Sequence, residues 1–223
     1  MPRNLFIAEL ENLHNEIRNM GEKISHIISN TITALKKQDE GLSKNIFSGD
    51  GQINTMNRKI EQTCLNMIAL QQPIASDLRA IASTLKILTD MERIADQCAD
   101  ICEIILSHPD STSLKPPAKL IQMMEAAQEM FGNAVSAYLE QDIVLAKAVC
   151  KFDDCIDAIF SQLILELCAI MPDNELKIPT AVDYMFIAKY IERIGDHATN
   201  IAEWGIYLAT GEHPDLNTEE SVL

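Results

Sequence analysis

The chain has 223 residues and a formal net charge of −15, because 33 Asp and Glu outnumber 18 Lys and Arg. Such a charge repels phosphate backbones and anionic lipid surfaces, so we predict no nucleic-acid partner. No uninterrupted apolar run approaches the ~18 residues of a membrane span, so we predict no membrane insertion. Only 5% of the residues are aromatic, and the aliphatic and charged residues that dominate favour helices. The predicted fold class is therefore all-α.

Three amphipathic helices are predicted in the first half of the chain. Apolar residues recur near a 3.6-residue period over residues 5–37, which indicates the first helix. A second is predicted over residues 39–70, where Gly49-Asp50-Gly51 is expected to loosen or break it. Pro73 suits the first turn of a third helix, with Ser76 or Asp77 as alternative caps, and this helix is predicted to end near Leu106.

The second half repeats this order after a segment rich in Pro and Ser at residues 108–117. Because such a composition prevents helix continuation, we predict that the segment is a linker between two domains, residues 1–107 and 118–213. A polar tail at 214–223 is expected to follow them. The three further helices are predicted at residues 118–140, 141–170 and 179–210, with Gly211 as the stop of the last.

A charged motif occurs twice, one hundred positions apart. Met91-Glu92-Arg93-Ile94-Ala95-Asp96 recurs as Ile191-Glu192-Arg193-Ile194-Gly195-Asp196. A motif repeated in the two halves of a chain indicates a duplicated unit. We therefore predict two tandem three-helix bundles of antiparallel helices, similar to spectrin repeats and related by internal duplication.

The repeated motif carries a stripe of acidic residues. On an ideal helix, Glu92, Asp96 and Asp100 fall within an arc of about 80° and point away from the apolar side. Glu192 and Asp196 repeat this geometry in the second half. Like charges at i,i+4 cost about 0.2–0.5 kcal/mol per pair, whereas a bound hard cation would make them favourable. The alternative interpretation of the stripe is an ordinary solvated helix face.

A second group of acids precedes the second motif helix. Asp153 and Asp157 are four residues apart, and in an antiparallel pair they can face the acids of the next helix. The first half offers only Asp50 and Asn54 at the corresponding place, because an amide replaces one carboxylate. In the second half Asn200 stands where the first has a third acid. The two acidic faces are therefore expected to bind cations unequally.

The six cysteines form no Cys-x-x-Cys pair. We interpret them as buried, reduced thiols of a cytoplasmic protein. A soft-metal or redox site is the alternative.

The paired Glu-Arg-Ile-(Gly/Ala)-Asp motifs resemble those of the PhoU family, the accessory regulators of phosphate-specific transport systems. Residues 72–79 and 201–207 resemble that family as well. The resemblance implies two similar three-helix bundles in a cytoplasmic, commonly dimeric protein. It also implies metal ions on the bundle surface, and the metal is left open among iron, zinc, magnesium, manganese and calcium. The ligands implied are Asp50, Glu92, Asp96, Asp100, Asp153, Asp157, Glu192 and Asp196.

The resemblance further implies negative regulation of phosphate uptake and of the phosphate-starvation (Pho regulon) response. The protein is then expected to be a non-enzymatic adaptor between the ATPase of a phosphate ABC transporter and a sensor histidine kinase. Two alternatives stay open: a metal-binding or metal-buffering helical protein, and a carboxylate-bridged metalloenzyme.

Overall fold

A computed structural model describes residues 3–49, 51–107, 115–171 and 178–214, with side chains from residue 6 onward. These residues contain helices and no strand, which confirms the all-α prediction. None of the described helices is both long and apolar enough to cross a membrane. Asp50, most of the predicted linker and nearly all of the predicted tail lie outside the described residues. The helices are α1 (Arg3–Lys37), α2 (Glu40–Gly49), α3 (Gly51–Gln71), α4 (Ala75–Ser107), α5 (Ala118–Glu140), α6 (Ile143–Ile170) and α7 (Ile178–Thr210).

The helix ends follow local sequence. α6 begins after Asp142, whose carboxylate accepts hydrogen bonds from the backbone N–H groups of Val144 and Leu145 at 2.9 and 3.0 Å. α7 ends at Thr210, and Gly211, which follows it with a φ of +85°, confirms the predicted stop. The prediction that Pro73 lies in the first turn of α4 is wrong, because α4 begins two residues later.

Each half of the chain forms its own bundle. α4 packs against α1, α2 and α3, while α5, α6 and α7 pack against one another. α2 and α3 together take the place of the predicted second helix. The prediction of two tandem bundles is therefore confirmed, with the motif helix, α4 or α7, as the third helix of each.

The two bundles are joined by helix packing into one hydrophobic core. α4 packs against α7, and α1 packs against α5. α4 and α7 run antiparallel, since the Lys86 ammonium lies 6.0 Å from the Trp204 ring centroid while Asp90, one turn further along α4, contacts His197. One more turn in this register brings Ile94 to the level of Ile194. The two repeated isoleucines are fully buried and lie near the centre of the crossing.

Tyr138 of α5 links the second bundle to the first. Its buried hydroxyl lies 3.0 Å from Ser83 Oγ and 2.9 Å from Thr84 Oγ1 on α4. Burial raises the pKa of Tyr138 to about 12, so the phenol stays protonated. Gly205 of α7 packs on the same tyrosine, and a Cβ at Gly205 would lie 3.3 Å from Tyr138 Cα. Glycine therefore allows α5 and α7 to approach closely.

The interpretation of the cysteines as buried thiols holds for half of them. Cys64, Cys98 and Cys102 are buried, whereas Cys150 is half-buried and the other two, Cys155 and Cys168, are exposed. The interpretation is wrong for the exposed pair because both lie on α6 away from its core side. Burial raises the pKa of Cys64 to about 12, so this thiol carries little nucleophilic thiolate.

Candidate metal-binding faces

Four carboxylates lie along the contact of α6 with α7, and we call them the second acidic set: Asp153, Asp157, Glu192 and Asp196. Gly195 lets the two helices approach here, since a Cβ at this position would lie 3.1 Å from Asp153 Oδ1. The Asp153 carboxylate therefore rests against the backbone of α7. The structure brings together the second-half residues that the sequence predicts as ligands.

Burial and mutual repulsion raise the pKa values of two members of the second acidic set. Burial, followed by the negative charges of Asp196, Asp157 and Glu192, raises the pKa of Asp153 to about 6. Burial and Glu192 also raise the pKa of Asp196, although Lys189 and His197 oppose the shift. Lys189 donates to Glu192 as the neighbouring cation of the set. The second acidic set therefore gains stability when it binds a proton or a cation.

Glu92, Asp96 and Asp100 form what we call the first acidic set, and all three are half-buried on α4. Glu92 accepts a hydrogen bond from the side-chain amide of Asn57 on α3. Asp96 pairs with Arg93 at 3.2 Å. Two of the three carboxylates thus face an amide or a guanidinium, and the fourth predicted ligand of this half, Asp50, lies outside the described residues.

The carboxylates of the two sets differ in exposure. The Glu192 and Asp96 side chains are only 16% and 27% exposed, and Glu92, Asp100 and Asp153 are half-buried, whereas Asp157 and Asp196 are exposed. Charges at half-buried positions are screened less than charges on an open face. Partial burial therefore weakens the interpretation as an ordinary solvated surface only for the half-buried carboxylates.

The fit to a cation differs between the two sets. Within the part of the chain that the structure describes, no group of three or more His, Cys, Asp or Glu side chains is arranged to hold a metal ion. By donor chemistry the second acidic set suits a hard cation, because all four members offer carboxylate oxygens that repel one another. The first set suits one less well, since its carboxylates already have an amide and a guanidinium beside them. Metal ligation stays a prediction for both sets.

A polar contact between the bundles escaped the sequence analysis. Asp90 Oδ1 of α4 lies 2.9 Å from His197 Nδ1 and accepts a hydrogen bond from the Asn200 amide at 3.0 Å. The carboxylate and the imidazole are largely buried, with 13% and 23% of their side chains exposed. An aspartate at position 200 would place a second carboxylate beside Asp90, which gives a physical reason for the amide. No local pattern signals a contact between residues more than 100 positions apart.

Comparisons with known proteins agree with this architecture. The family model of the PhoU domain matches residues 17–105 and 120–205. A phosphate-specific transport system accessory protein PhoU homolog from Clostridium acetobutylicum is 37% identical over 218 residues, which are 97% of this chain and 100% of the relative. The PhoU protein of Escherichia coli is 30% identical, over 93% of this chain and 86% of its own. The crystal structure of PhoU from Pseudomonas aeruginosa superposes with a TM-score of 0.89 at 32% identity, covering 93% of this chain and all of that one.

Proposed function

The chain belongs to the PhoU family, and on that premise we propose that it is an accessory protein of a phosphate-specific transport system. Its role is negative regulation of phosphate uptake and of the phosphate-starvation response. The observation that carries the proposal is the match of the PhoU domain to both halves of the chain, together with relatives that align over nearly its full length.

The proposed mode of action is that of a non-enzymatic adaptor in the cytoplasm. Its partners are the ATPase of the phosphate ABC transporter and a phosphate-sensing histidine kinase, and it acts as a homodimer. The two bundles share one hydrophobic core, so their outer surfaces keep a constant orientation to each other. Such an arrangement supports the proposal because an adaptor must hold two partners at once. Both halves of the chain are net negative but to different degrees: residues 108–223 carry 19 Asp and Glu against 7 Lys and Arg, and residues 1–107 carry 14 against 11. This difference in net charge between the halves suits two different partners.

Deletion of the gene tests the regulatory role. In phosphate-rich medium, a phosphate-starvation reporter is expected to rise on deletion and to fall again when the full chain is restored. Unchanged repression in the deletion strain would contradict the proposal. Affinity capture of the tagged chain from phosphate-replete cells then tests the adaptor role, which requires recovery of both the transporter ATPase and the kinase.

We further propose that the second acidic set binds a hard cation. The support is its four carboxylates at the contact of α6 with α7 and the raised pKa of Asp153, which burial and the neighbouring negative charges cause. The ion would stabilise the packing of α6 on α7 by relieving their repulsion. Iron, zinc, magnesium, manganese and calcium are the ions to be tested.

The duplication supplies a matched control for the metal proposal. Glu192→Gln with Asp196→Asn changes the second set, and Glu92→Gln with Asp96→Asn makes the same changes in the first. Bound metal, measured by elemental analysis after loading, is expected to fall more in the second-set variant. If neither double variant alters the metal content or the thermal shift on adding metal, both faces are only solvated surface and the metal proposal is wrong.

A further inference from the structure

A cavity of about 260 Å³ opens beside α1 and α2, and we call it the α1–α2 cavity. Its floor is apolar and consists of Ile27 of α1, Leu42 and Ile46 of α2, and Ile53 of α3. Ile53 is buried, whereas the other three are only partly buried and pack at the edge of the core. The cavity therefore keeps apolar surface open to a ligand.

The break between α2 and α3 leaves room in this cavity. α2 ends at Gly49 and α3 begins at Gly51, while Asp50 between them lies outside the described residues. Gly49 lines the cavity, and a Cβ at this position would meet nothing within 4 Å. A larger residue at position 49 would therefore occupy space that glycine leaves open.

The charged groups at the rim of the cavity favour an anion. Lys23 and His26 of α1 line it, and none of its described lining residues is acidic. Lys23 forms no ion pair with a described residue, so its ammonium is available to a ligand. The His26 imidazole can donate a hydrogen bond beside it. In a chain of net charge −15, a cavity lined by a lysine and no described acid attracts anions rather than cations.

Three side-chain amides complete the rim, and they belong to Asn30, Asn45 and Gln52. None of these amides has a hydrogen-bond partner among the described residues. Their N–H groups can donate to the oxygens of a carboxylate or a phosphate.

A second cavity, of about 590 Å³, continues from the first along α1 and α3. Lys23, His26 and Gln52 line both cavities and therefore mark where they meet. Glu22 lines only the second of the two. Its carboxylate disfavours an anion there, so the α1–α2 cavity is the better place for an acidic group.

We propose that the α1–α2 cavity binds a small amphiphilic organic anion. The apolar body of the ligand lies on Ile27, Leu42 and Ile46, and its carboxylate or phosphate monoester lies against Lys23 and His26. This site is separate from the two acidic sets, which lie on α4 and at the contact of α6 with α7. It goes beyond the regulatory role proposed above and does not depend on it.

Fluorescence of anilinonaphthalene sulfonate, an amphiphilic anion, tests the role of charge. The wild-type chain is expected to bind this probe, and Lys23→Glu should weaken binding at least about 10-fold because a carboxylate replaces the ammonium. Lys44→Glu is the matched control, since Lys44 is exposed on α2, does not line the cavity and gives the same net charge. Equal binding by the two variants, or no binding by the wild-type chain, would overturn the proposal.

Gly49→Leu tests the location of the apolar body. The leucine should fill the cavity and weaken binding of the same probe at least about 10-fold while Lys23 is kept. Gly41→Leu on the same helix does not touch the cavity lining and should bind as the wild-type chain does. Circular dichroism should show every variant folded. Binding unchanged by Gly49→Leu would place the probe elsewhere and contradict the site.

Competition defines the class of ligand. Octanoate and octyl phosphate are each expected to displace the fluorescent probe, and the more effective of the two identifies the acidic group. Octylammonium has the opposite charge and inorganic phosphate has no apolar body, so each should be at least about 10-fold less effective. Equal displacement by octylammonium would mean that charge is not recognised, and equal displacement by inorganic phosphate would mean that the floor is not used. Either result would rule out an amphiphilic anion as the ligand.

Discussion

Asp153 shows how one missing methyl group shapes an acidic site. The first motif has Ala95 where the second has Gly195, and a methyl group at Gly195 would lie 3.1 Å from Asp153 Oδ1, so the carboxylate would have to shift. Burial, followed by the charges of four further carboxylates, then raises the pKa of Asp153. The change from Ala95 to Gly195 in the repeated motif therefore accompanies the more crowded of the two acidic sets.

The substitution Asp153→Asn is expected to stabilise the metal-free protein at neutral pH. The folded pKa of Asp153 is raised from 3.8 to about 6, so the folded state binds the proton more tightly than the unfolded state does. Stability contributed by this group is present below about pH 4 and is lost as the pH rises through 6. Thermal unfolding in chelator should show a gain of about 1 kcal/mol above pH 7, after discounting for solvent screening of a half-buried group. It should also show a flatter profile between pH 4 and 6; a gain at pH 4 alone would contradict the sign.

Asn200 allows a second prediction at the residue scale. Asn200→Asp should lower the free energy of unfolding by roughly 1 kcal/mol at neutral pH, because the new carboxylate faces Asp90 instead of donating to it. Adding Asp90→Asn to this variant should restore most of the loss by exchanging donor and acceptor. Chemical denaturation measures both, and a double variant no more stable than Asn200→Asp would argue against the contact.

At the scale of elements, α7 is the helix on which the others converge. It packs against α4, α5 and α6, and its small residues lie where neighbours come closest. Gly195 lies against α6 and Gly205 against α5, so one helix uses glycine for two close approaches. The position of α6, and with it the second acidic set, depends on this spacing.

Gly205→Ala is expected to destabilise the protein by about 1–2 kcal/mol, although alanine is the better helix former. The added methyl would meet the backbone of Tyr138, which cannot rotate away. Gly132→Ala on α5 is the control, because a Cβ there meets nothing within 4 Å and should raise stability by up to about 1 kcal/mol. Thermal denaturation of the two variants should move in opposite directions; equal shifts would contradict the close packing.

At the scale of the whole molecule, the two bundles pack against each other through α4 with α7 and α1 with α5. A single hydrophobic core spans both, and Tyr138 fixes α5 to α4 through buried hydroxyls. Separating the bundles would expose the apolar contact of α4 with α7, including Ile94 and Ile194.

We therefore expect one cooperative thermal transition for the intact chain. In calorimetry the calorimetric and van't Hoff enthalpies should agree for a single unit. Residues 1–107 expressed alone should unfold at a lower temperature because the α4 surface loses its cover. Two resolved transitions in the intact chain would show instead that the bundles unfold independently.

The sequence predicts the helices and their pairing in bundles because apolar periodicity and the repeat report on local structure and duplication. It predicts the meeting of Asp153 with the acids of α7, since spacing within an antiparallel pair fixes which faces oppose. It does not predict the contact of Asp90 with His197, which depends on packing between bundles. Nor does it predict the exposure of Cys155, because an apolar residue on a helix gives the same local pattern whether it is buried or exposed.

The antiparallel crossing of α4 and α7 has the form of a symmetric interface fused into one polypeptide. In a pair of identical chains each substitution occurs twice, once on each side of the axis, so a favourable change on one side must be tolerated on the other. Fusion removes this constraint. Asp90 can face His197 and Asn200 while the equivalent positions hold Tyr190, Gln97 and Asp100. The two halves of a duplicated chain can thus diverge one residue at a time while the packing of α4 on α7 is kept.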